Sequence, residues 1–210
     1  MLKRMIAAMV IVAVAAGAFA ADSGSGVKKK SAEKQSKGVV FADYSKAEAK
    51  GNVFGDDAKG CGGTLEKKGG VAVFAFRPCA DGWGGGVTLG RPADAPFNAD
   101  GKTRIVVKAN VTKGIRFGVQ VNENGIGPKD APSYAGVEGA DGEQWGSPEQ
   151  EGTGIVKTYT FTLKDFTVAG GYGNQNGNKK VDLKAVDALQ VSVWGGQAAG
   201  EIAISSIKLE

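Results

Sequence analysis

The chain of 210 residues contains no histidine and only two cysteines. Without histidine, it cannot form a Ser-His-Asp triad, a Cys-His pair or a histidine metal cluster. Two cysteines alone are too few to complete a zinc site. The sequence also has no phosphate-binding loop of the P-loop type. These absences exclude several common classes of enzyme and metalloprotein, and we expect no catalytic residue and no metal ligand of these kinds.

Paired carboxylates are the catalytic arrangement that these absences leave open, because a glycosidase needs only two of them. The 22 Asp and Glu residues are scattered along the chain. No two of them can be assigned a defined separation. We therefore favour a non-enzymatic binding domain, and a hydrolase stays open as the lesser alternative.

Long apolar runs are absent from the chain apart from its N-terminus. Lys3 and Arg4 precede the apolar run 5–17, and the small-x-small motif Ala-Phe-Ala follows at 18–20. This order predicts a secretory signal peptide over residues 1–20. The run is short for a membrane span, so we expect no transmembrane segment and a secreted or periplasmic protein.

Residues 21–37 contain no aromatic side chain and are rich in Lys, Ser and Gly, which predicts a disordered linker. The signal peptide carries a net charge of +2 and the linker +3, so residues 38–210 carry about −1 of the chain's net +4. The basic charge thus lies outside the expected domain. A nucleic-acid partner is therefore not expected.

The two cysteines are Cys61 and Cys79. Export favours oxidation, so we predict a Cys61–Cys79 disulfide, with two reduced thiols as the alternative.

Glycine is abundant, with 34 residues, and it separates short runs in which apolar and polar residues alternate. Alternation with a period of two indicates strands with one buried and one solvated face. This pattern predicts an all-β domain over residues 38–210, with two antiparallel sheets packed face to face. Residues 45–50 and 182–187 are expected to form a helical turn or two. The predicted strands are 38–44, 70–78, 87–90, 103–111, 115–122, 157–163, 188–194 and 201–209.

The alternation also predicts which polar side chains point away from the core. It places Arg116, Gln120 and Asn122 on the outer side of one strand, and Gln190 and Trp194 on the outer side of another. Flat aromatic rings can stack on the C–H faces of a sugar, and amides and guanidinium groups can bond its hydroxyls. These residues are candidate carbohydrate ligands, although any solvated sheet displays polar residues.

Three further aromatic residues lie in glycine-rich or polar stretches. Trp83 stands in "ADGWGGGVTLG", where its ring could form the wall of a groove or cover the end of the sandwich. Tyr134 and Trp145 lie in a long polar stretch, 122–154, which we expect to be a loop. They could line one side of a groove or anchor that loop to the sandwich.

The C-terminal sequence "LKAVDALQVSVW…GEIAISSIKLE" resembles jelly-roll β-sandwiches of galactose-binding-like topology. "YTFTLKDF" (159–166) and "GWGGGVTL" are similar to segments of carbohydrate-binding modules of this type and of the related CIA30-like domains. The resemblance implies a jelly-roll fold and a non-catalytic protein that binds polysaccharide or oligosaccharide. A structural or assembly protein of the cell envelope, using the same face for protein contacts, is the alternative.

Many modules of this type bind a structural calcium through an acidic residue just before the final strand motif. Here Ser205 and Ser206 occupy that place, and hydroxyls are poor substitutes for carboxylates. Asp43, near the first strand, is the remaining candidate ligand. We expect no cofactor, and the calcium site is doubtful.

Overall fold

The computed structural model describes residues 38–46, 51–77, 81–89, 97–123, 142–169 and 173–210. A compact unit spans Ser36–Glu210. The predicted signal peptide, 1–20, and linker, 21–37, lie outside the described residues and stay predictions. None of the described helices is long and apolar enough to cross a membrane.

The described residues form an all-β structure with three single 3-10 turns, at Asp57–Lys59, Leu163–Asp165 and Leu183–Ala185. The last of these turns lies within residues 182–187, where a short helical turn was predicted. The other predicted turn, 45–50, falls mostly outside the described residues. The strands are β1 Val39–Asp43, β2 Gly51–Gly55, β3 Gly63–Lys68, β4 Val71–Phe76, β5 Gly84–Leu89, β6 Arg104–Val111, β7 Arg116–Glu123, β8 Gln144–Gly146, β9 Gln150–Glu151, β10 Val156–Thr162, β11 Thr167–Val168, β12 Val186–Trp194 and β13 Gly200–Leu209.

These strands make two antiparallel sheets. Sheet 1 has the order β10-β6-β13-β4-β3, and β1 also pairs with β13. Sheet 2 has the order β11-β8-β7-β12-β5-β2, and β9 also pairs with β7. The predicted two-sheet antiparallel architecture is confirmed.

The core lies between the sheets and consists of the inward residues of each alternating strand. Phe117 on β7 packs edge-to-face against Tyr159 on β10, with ring centroids 4.8 Å apart. A second edge-to-face contact joins Phe117 to Phe161 at 5.8 Å. Such pairs add to the stabilisation that comes from burying apolar area. They join a strand of sheet 2 to a strand of sheet 1.

The last strand keeps its apolar side chains inward by means of a bulge. Ile202 and Ile204 alternate normally, but the next inward residues are Ile207 and Leu209, and all four are fully buried. The pairing of β13 with β6 shifts between Ile204 and Ser206. One extra residue restores the phase, since a slip by one residue would turn the strand over.

Some elements differ from the prediction. The glycines at 84–86 belong to strand β5, whereas the prediction starts that strand at Val87. The stretch 122–154 is not a continuous loop, because β7 extends to Glu123 and β8 and β9 lie at its C-terminal end. Strands β2 and β3 were missed because their glycine, lysine and glutamate residues obscure the alternation.

Tyr44 provides a test of the packing at the start of the sandwich. Its ring is buried, and its hydroxyl has no hydrogen-bond partner among the described residues. Burial raises the pKa of Tyr44 from 10.0 to about 12. The Tyr44 hydroxyl therefore ionises at a lower pH in the unfolded chain than in the folded one. The free energy of unfolding is thus unaffected by this group below pH 10, and it falls as the pH rises towards 12.

We expect Tyr44→Phe to leave the melting temperature at neutral pH unchanged or slightly raised, because it removes an unpaired buried hydroxyl. The variant should also lose less stability than the wild type between pH 9 and pH 11. Thermal unfolding followed by circular dichroism measures both effects. An equal alkaline loss in the two proteins would contradict this description of Tyr44.

Candidate functional site

The candidate site lies on the outer face of sheet 2, the face directed away from the core. The strand pairings place one residue from each of six strands in a single row across this face. The row follows from the pairings of β11 with β8, β8 with β7, β7 with β12, β12 with β5 and β5 with β2. It consists of Thr167, Gly146, Gln120, Gln190, Thr88 and Asn52.

Amide side chains on this face bond to one another. Gln144 Nε2 donates hydrogen bonds to Asn122 Oδ1 at 3.0 Å and to Gln190 Oε1 at 3.1 Å. Gln190 Nε2 donates in turn to Thr88 Oγ1 at 2.9 Å. These mutual bonds satisfy amides that their neighbours largely cover, which avoids the penalty for burying unpaired polar groups. We call Asn122, Gln120, Gln144 and Gln190 the amide cluster.

Gln120 joins the same face through a separate bond. Its Oε1 accepts a hydrogen bond of 2.9 Å from the hydroxyl of Ser192. The side-chain nitrogen of Gln120 can therefore serve as a donor toward a ligand.

Trp194 lies over the sheet because the strand beside it carries a glycine. A Cβ built on Gly118 would come within 2.5 Å of Cη2 and 2.9 Å of Cζ3 of the Trp194 ring. No real Cβ tolerates such contacts, so only glycine lets the indole approach the backbone of β7 this closely. The ring is partly exposed at this position.

A pair of aromatic rings lies further across the sheet. The rings of Phe54 and Trp83 are stacked, with centroids 6.1 Å apart and planes within 13° of each other. Gly86 on β5 makes room for this pair, since a Cβ there would lie 2.7 Å from Phe54 Cζ. Trp83 is 58% exposed, which is unusual for so large an apolar ring.

These side chains line one groove with a volume of about 840 Å³. That volume lies in the range of pockets that hold small organic ligands. No charged side chain lines it among the residues that the structure describes. Its lining consists of Phe54, Trp83, Thr88, Gln120, Gln144, Gly146, Ser147, Thr167, Val168, Ala169, Gln190 and Trp194.

The structure brings four of the sequence-predicted residues together in this groove: Trp83, Gln120, Gln190 and Trp194. Asn122 lies next to them, but it is buried and reaches the groove only through its bond to Gln144.

Two predicted residues lie elsewhere, and a third falls outside the described residues. Arg116 is exposed at the start of β7 and pairs with Glu149 at 3.3 Å. Trp145 is only 6% exposed, and its indole N–H donates to Glu123 Oε1 at 3.0 Å. The idea that Trp145 lines the groove is therefore wrong, because β8 directs its ring into the core. Tyr134 lies outside the described residues.

Sequence reasoning missed Phe54, Thr88 and Gln144. Thr88 follows the alternation of "VTL", so its outward position could have been read from the same pattern as Gln190. Phe54 lies between glycines in a strand that was not recognised. Gln144 precedes Trp145 in the stretch that was expected to be a loop.

The structure describes one of the two cysteines of the predicted disulfide. Cys61 is fully buried. Cys79 lies outside the described residues, so the pairing stays a prediction.

Asp43, the remaining candidate for a calcium ligand, is bonded to its own neighbours in the chain. Asp43 accepts hydrogen bonds from the backbone N–H and the hydroxyl of Ser45, and it pairs with Lys46 at 3.6 Å. The bond from the Ser45 hydroxyl is the main cause that lowers the pKa of Asp43. No group of three or more Cys, Asp or Glu residues in the described part of the chain is placed to hold a metal ion.

No protein-family model and no curated protein matches the sequence. Among solved structures, the chain is similar to a family 11 carbohydrate-binding module from Clostridium thermocellum, in complex with a beta-1,3-1,4-mixed-linked tetrasaccharide. The two are 17% identical, with a TM-score of 0.60 over 83% of this chain and 96% of that chain. It is also similar to the family 11 module of the cellulosomal cellulase Lic26A-Cel5E of the same organism. That match has 16% identity, a TM-score of 0.59, and coverage of 80% and 92%. The fold is thus a galactose-binding-like jelly roll, as predicted.

The contact between Gly118 and Trp194 can be tested directly. We expect Gly118→Ala to tilt the indole off the sheet, at a cost of about 1–3 kcal/mol in unfolding free energy. Acrylamide should then quench tryptophan fluorescence more strongly in a Trp83→Phe background, where the accessible emission comes from Trp194 because Trp145 is buried.

Gly146→Ala is the matched control, because a Cβ there meets its nearest neighbour, Gln120 Cγ, at 3.9 Å. It should leave the quenching unchanged. Equal quenching in the Gly118 variant and its parent would show that the ring does not rest on Gly118.

Proposed function

We propose that the groove of sheet 2 binds an uncharged polysaccharide or oligosaccharide without cleaving it. The observation that carries this proposal is the combination of three side-chain amides, those of Gln120, Gln144 and Gln190, with aromatic rings along one groove. The rings are those of Trp194, Trp83 and Phe54. A sugar offers an apolar face of C–H groups and an edge of hydroxyls. The groove offers a complement to each of these two surfaces.

The aromatic rings supply the apolar complement. Trp83 is highly exposed and Trp194 partly so, and large rings seldom stay open to water without a partner. A pyranose ring that stacks on either indole would remove apolar area from water on both partners.

The amide cluster supplies hydrogen-bond partners for the hydroxyls of a sugar. An amide both donates and accepts hydrogen bonds, as a sugar hydroxyl does, and it carries no net charge that binding would have to desolvate. The hydroxyls of Thr88 and Thr167 line the same groove. Because no charged residue among the described ones lines it, we propose a neutral glycan rather than an anionic one.

Binding without catalysis is the second part of the proposal. Hydrolysis of a glycosidic bond typically needs a pair of carboxyl groups, one on each side of the bond. The described lining contains neither Asp nor Glu. A solved module of the same fold holds a mixed-linked tetrasaccharide, which supports the proposed class of ligand.

We expect Trp194→Ala to weaken binding to the best neutral glycan by about 2 kcal/mol, or roughly 30-fold. Trp83→Ala should weaken it as well. Affinity electrophoresis in gels containing soluble glucan, xylan or mannan provides the screen, and calorimetry gives the constants.

Arg116→Ala is the control, because this exposed residue of β7 lies outside the groove. It should bind as tightly as the wild type. Retention only by an anionic polymer such as polygalacturonate would refute a neutral ligand. If no polysaccharide retards the wild type, a protein partner on the same face becomes the better hypothesis.

We further propose that the protein is exported, is cleaved after Ala20 and carries the Cys61–Cys79 disulfide. The apolar run after Lys3 and Arg4 and the complete burial of Cys61 support this. Protein recovered from outside the cytoplasm should have the intact mass of a chain that begins at Ala21. That mass should be lower by two hydrogen atoms than the mass of the same chain after reduction. A chain that retains its N-terminus, or two thiols that alkylate without reduction, would reject the corresponding half of this proposal.

A further inference from the structure

Strand β10 forms an open edge of sheet 1. It pairs with β6 along all seven of its residues, and it is the outermost strand on that side. Leu163 N donates to Thr103 O, and these two residues continue the register of the pair. Odd-numbered residues of β10 therefore bond to β6. The backbone groups of Val156, Thr158 and Thr160 point the other way.

The direction of these groups has independent support. The side-chain amide of Gln150 donates to Thr160 O at 2.7 Å, from outside the β10–β6 pair. Within the part of the chain that the structure describes, no other residue forms a hydrogen bond with the outward backbone groups of Val156, Thr158 and Thr160. An edge with unpaired N–H and C=O groups can accept another strand.

Two of the other edge strands, β3 and β11, carry features that usually prevent such pairing. Strand β3, at the opposite edge of sheet 1, contains the charged residues Glu66, Lys67 and Lys68, all exposed. In sheet 2, one edge strand is the two-residue β11. Charged or very short edge strands discourage association.

Strand β10 is neither very short nor highly charged. Its sequence is VKTYTFT, and its one charged residue, Lys157, has its ammonium 5.3 Å from the centroid of the Tyr159 ring. Exposed apolar side chains precede the outward threonines, since Ile155 is 67% exposed and Val156 58%. These are two of the four large apolar side chains that are exposed in the described residues.

We propose that the β10 edge pairs antiparallel with β10 of a second copy of this chain. A two-fold axis at Thr158 would place Thr158 opposite its own copy and Val156 opposite Thr160 of the second copy. None of the three outward-bonding residues, Val156, Thr158 and Thr160, is charged. Two identical edges can therefore meet without like charges facing each other. Lys157 would face Tyr159 of the second copy.

The dimer would be weak and bivalent. The pairing displaces the Gln150 amide from Thr160 O, and edge contacts alone bury little area compared with stable dimers. The groove lies on the outer face of sheet 2 and stays open. Two grooves on one dimer would raise the avidity for a polymer with repeated sites.

Sedimentation equilibrium of the purified protein tests this proposal over a range of concentrations up to the solubility limit. We expect a monomer–dimer equilibrium in the wild type. Thr158→Lys, which places two ammonium groups opposite each other on the axis, should raise the dimer dissociation constant about tenfold or more.

Thr158→Pro is a second variant. It removes an N–H that points away from β6, so it leaves the bonds within the chain intact and should also weaken the dimer. Thr64→Lys, on the exposed face of β3, is the matched control and should leave the dimer unchanged. Circular dichroism confirms that each variant is folded.

Three results would overturn the proposal. They are a wild type that stays monomeric at every concentration, a dimer unaffected by both Thr158 substitutions, and a dimer lost with Thr64→Lys. This outcome is independent of the proposed carbohydrate binding, because a monomer with an intact groove still binds its ligand in the affinity gel.

Discussion

The two-residue period of the central strands of sheet 2 is the constraint on which the structure depends. On β12, Leu189, Val191 and Val193 point into the core, and Gln190, Ser192 and Trp194 occupy the other face. The same strand therefore supplies packing to one side and hydrogen-bonding groups to the other. A slip of one residue would exchange the two sets and remove both the core and the groove.

Much of this arrangement could be predicted from the sequence, because long strands with clear alternation follow simple rules. The outward positions of Gln120, Gln190 and Trp194 are examples. Trp145 could not be placed in this way. It lies in a strand of only three residues, and the partner that holds its indole, Glu123, is buried at the end of another strand. Contacts between distant segments leave no periodic signal.

The glycines explain why composition alone was ambiguous. In "ADGWGGGVTLG" the predicted strand begins only at Val87, yet residues 84–86 form part of a strand between β12 and β2. Gly86 makes room for the ring of Phe54, and Gly118 on β7 does the same for Trp194. Glycine usually weakens a strand, but here the missing side chains allow broad rings to approach the backbone. The location of these rings depends on strand pairing, which the local sequence does not reveal.

One chain of hydrogen bonds on the groove face runs from β8 to β5, while the hydroxyl of Ser192 donates the opposite way, from β12 to Gln120 on β7. The amide of Gln144 donates to Gln190, and Gln190 donates to the hydroxyl of Thr88, which keeps its own proton available. Reversing this chain would require the amides to rotate together. The β8 end of the chain and its β5 end are therefore chemically different. A linear polymer of sugars also has two different ends, so, under the proposed function, the groove would distinguish the two directions in which such a chain can lie.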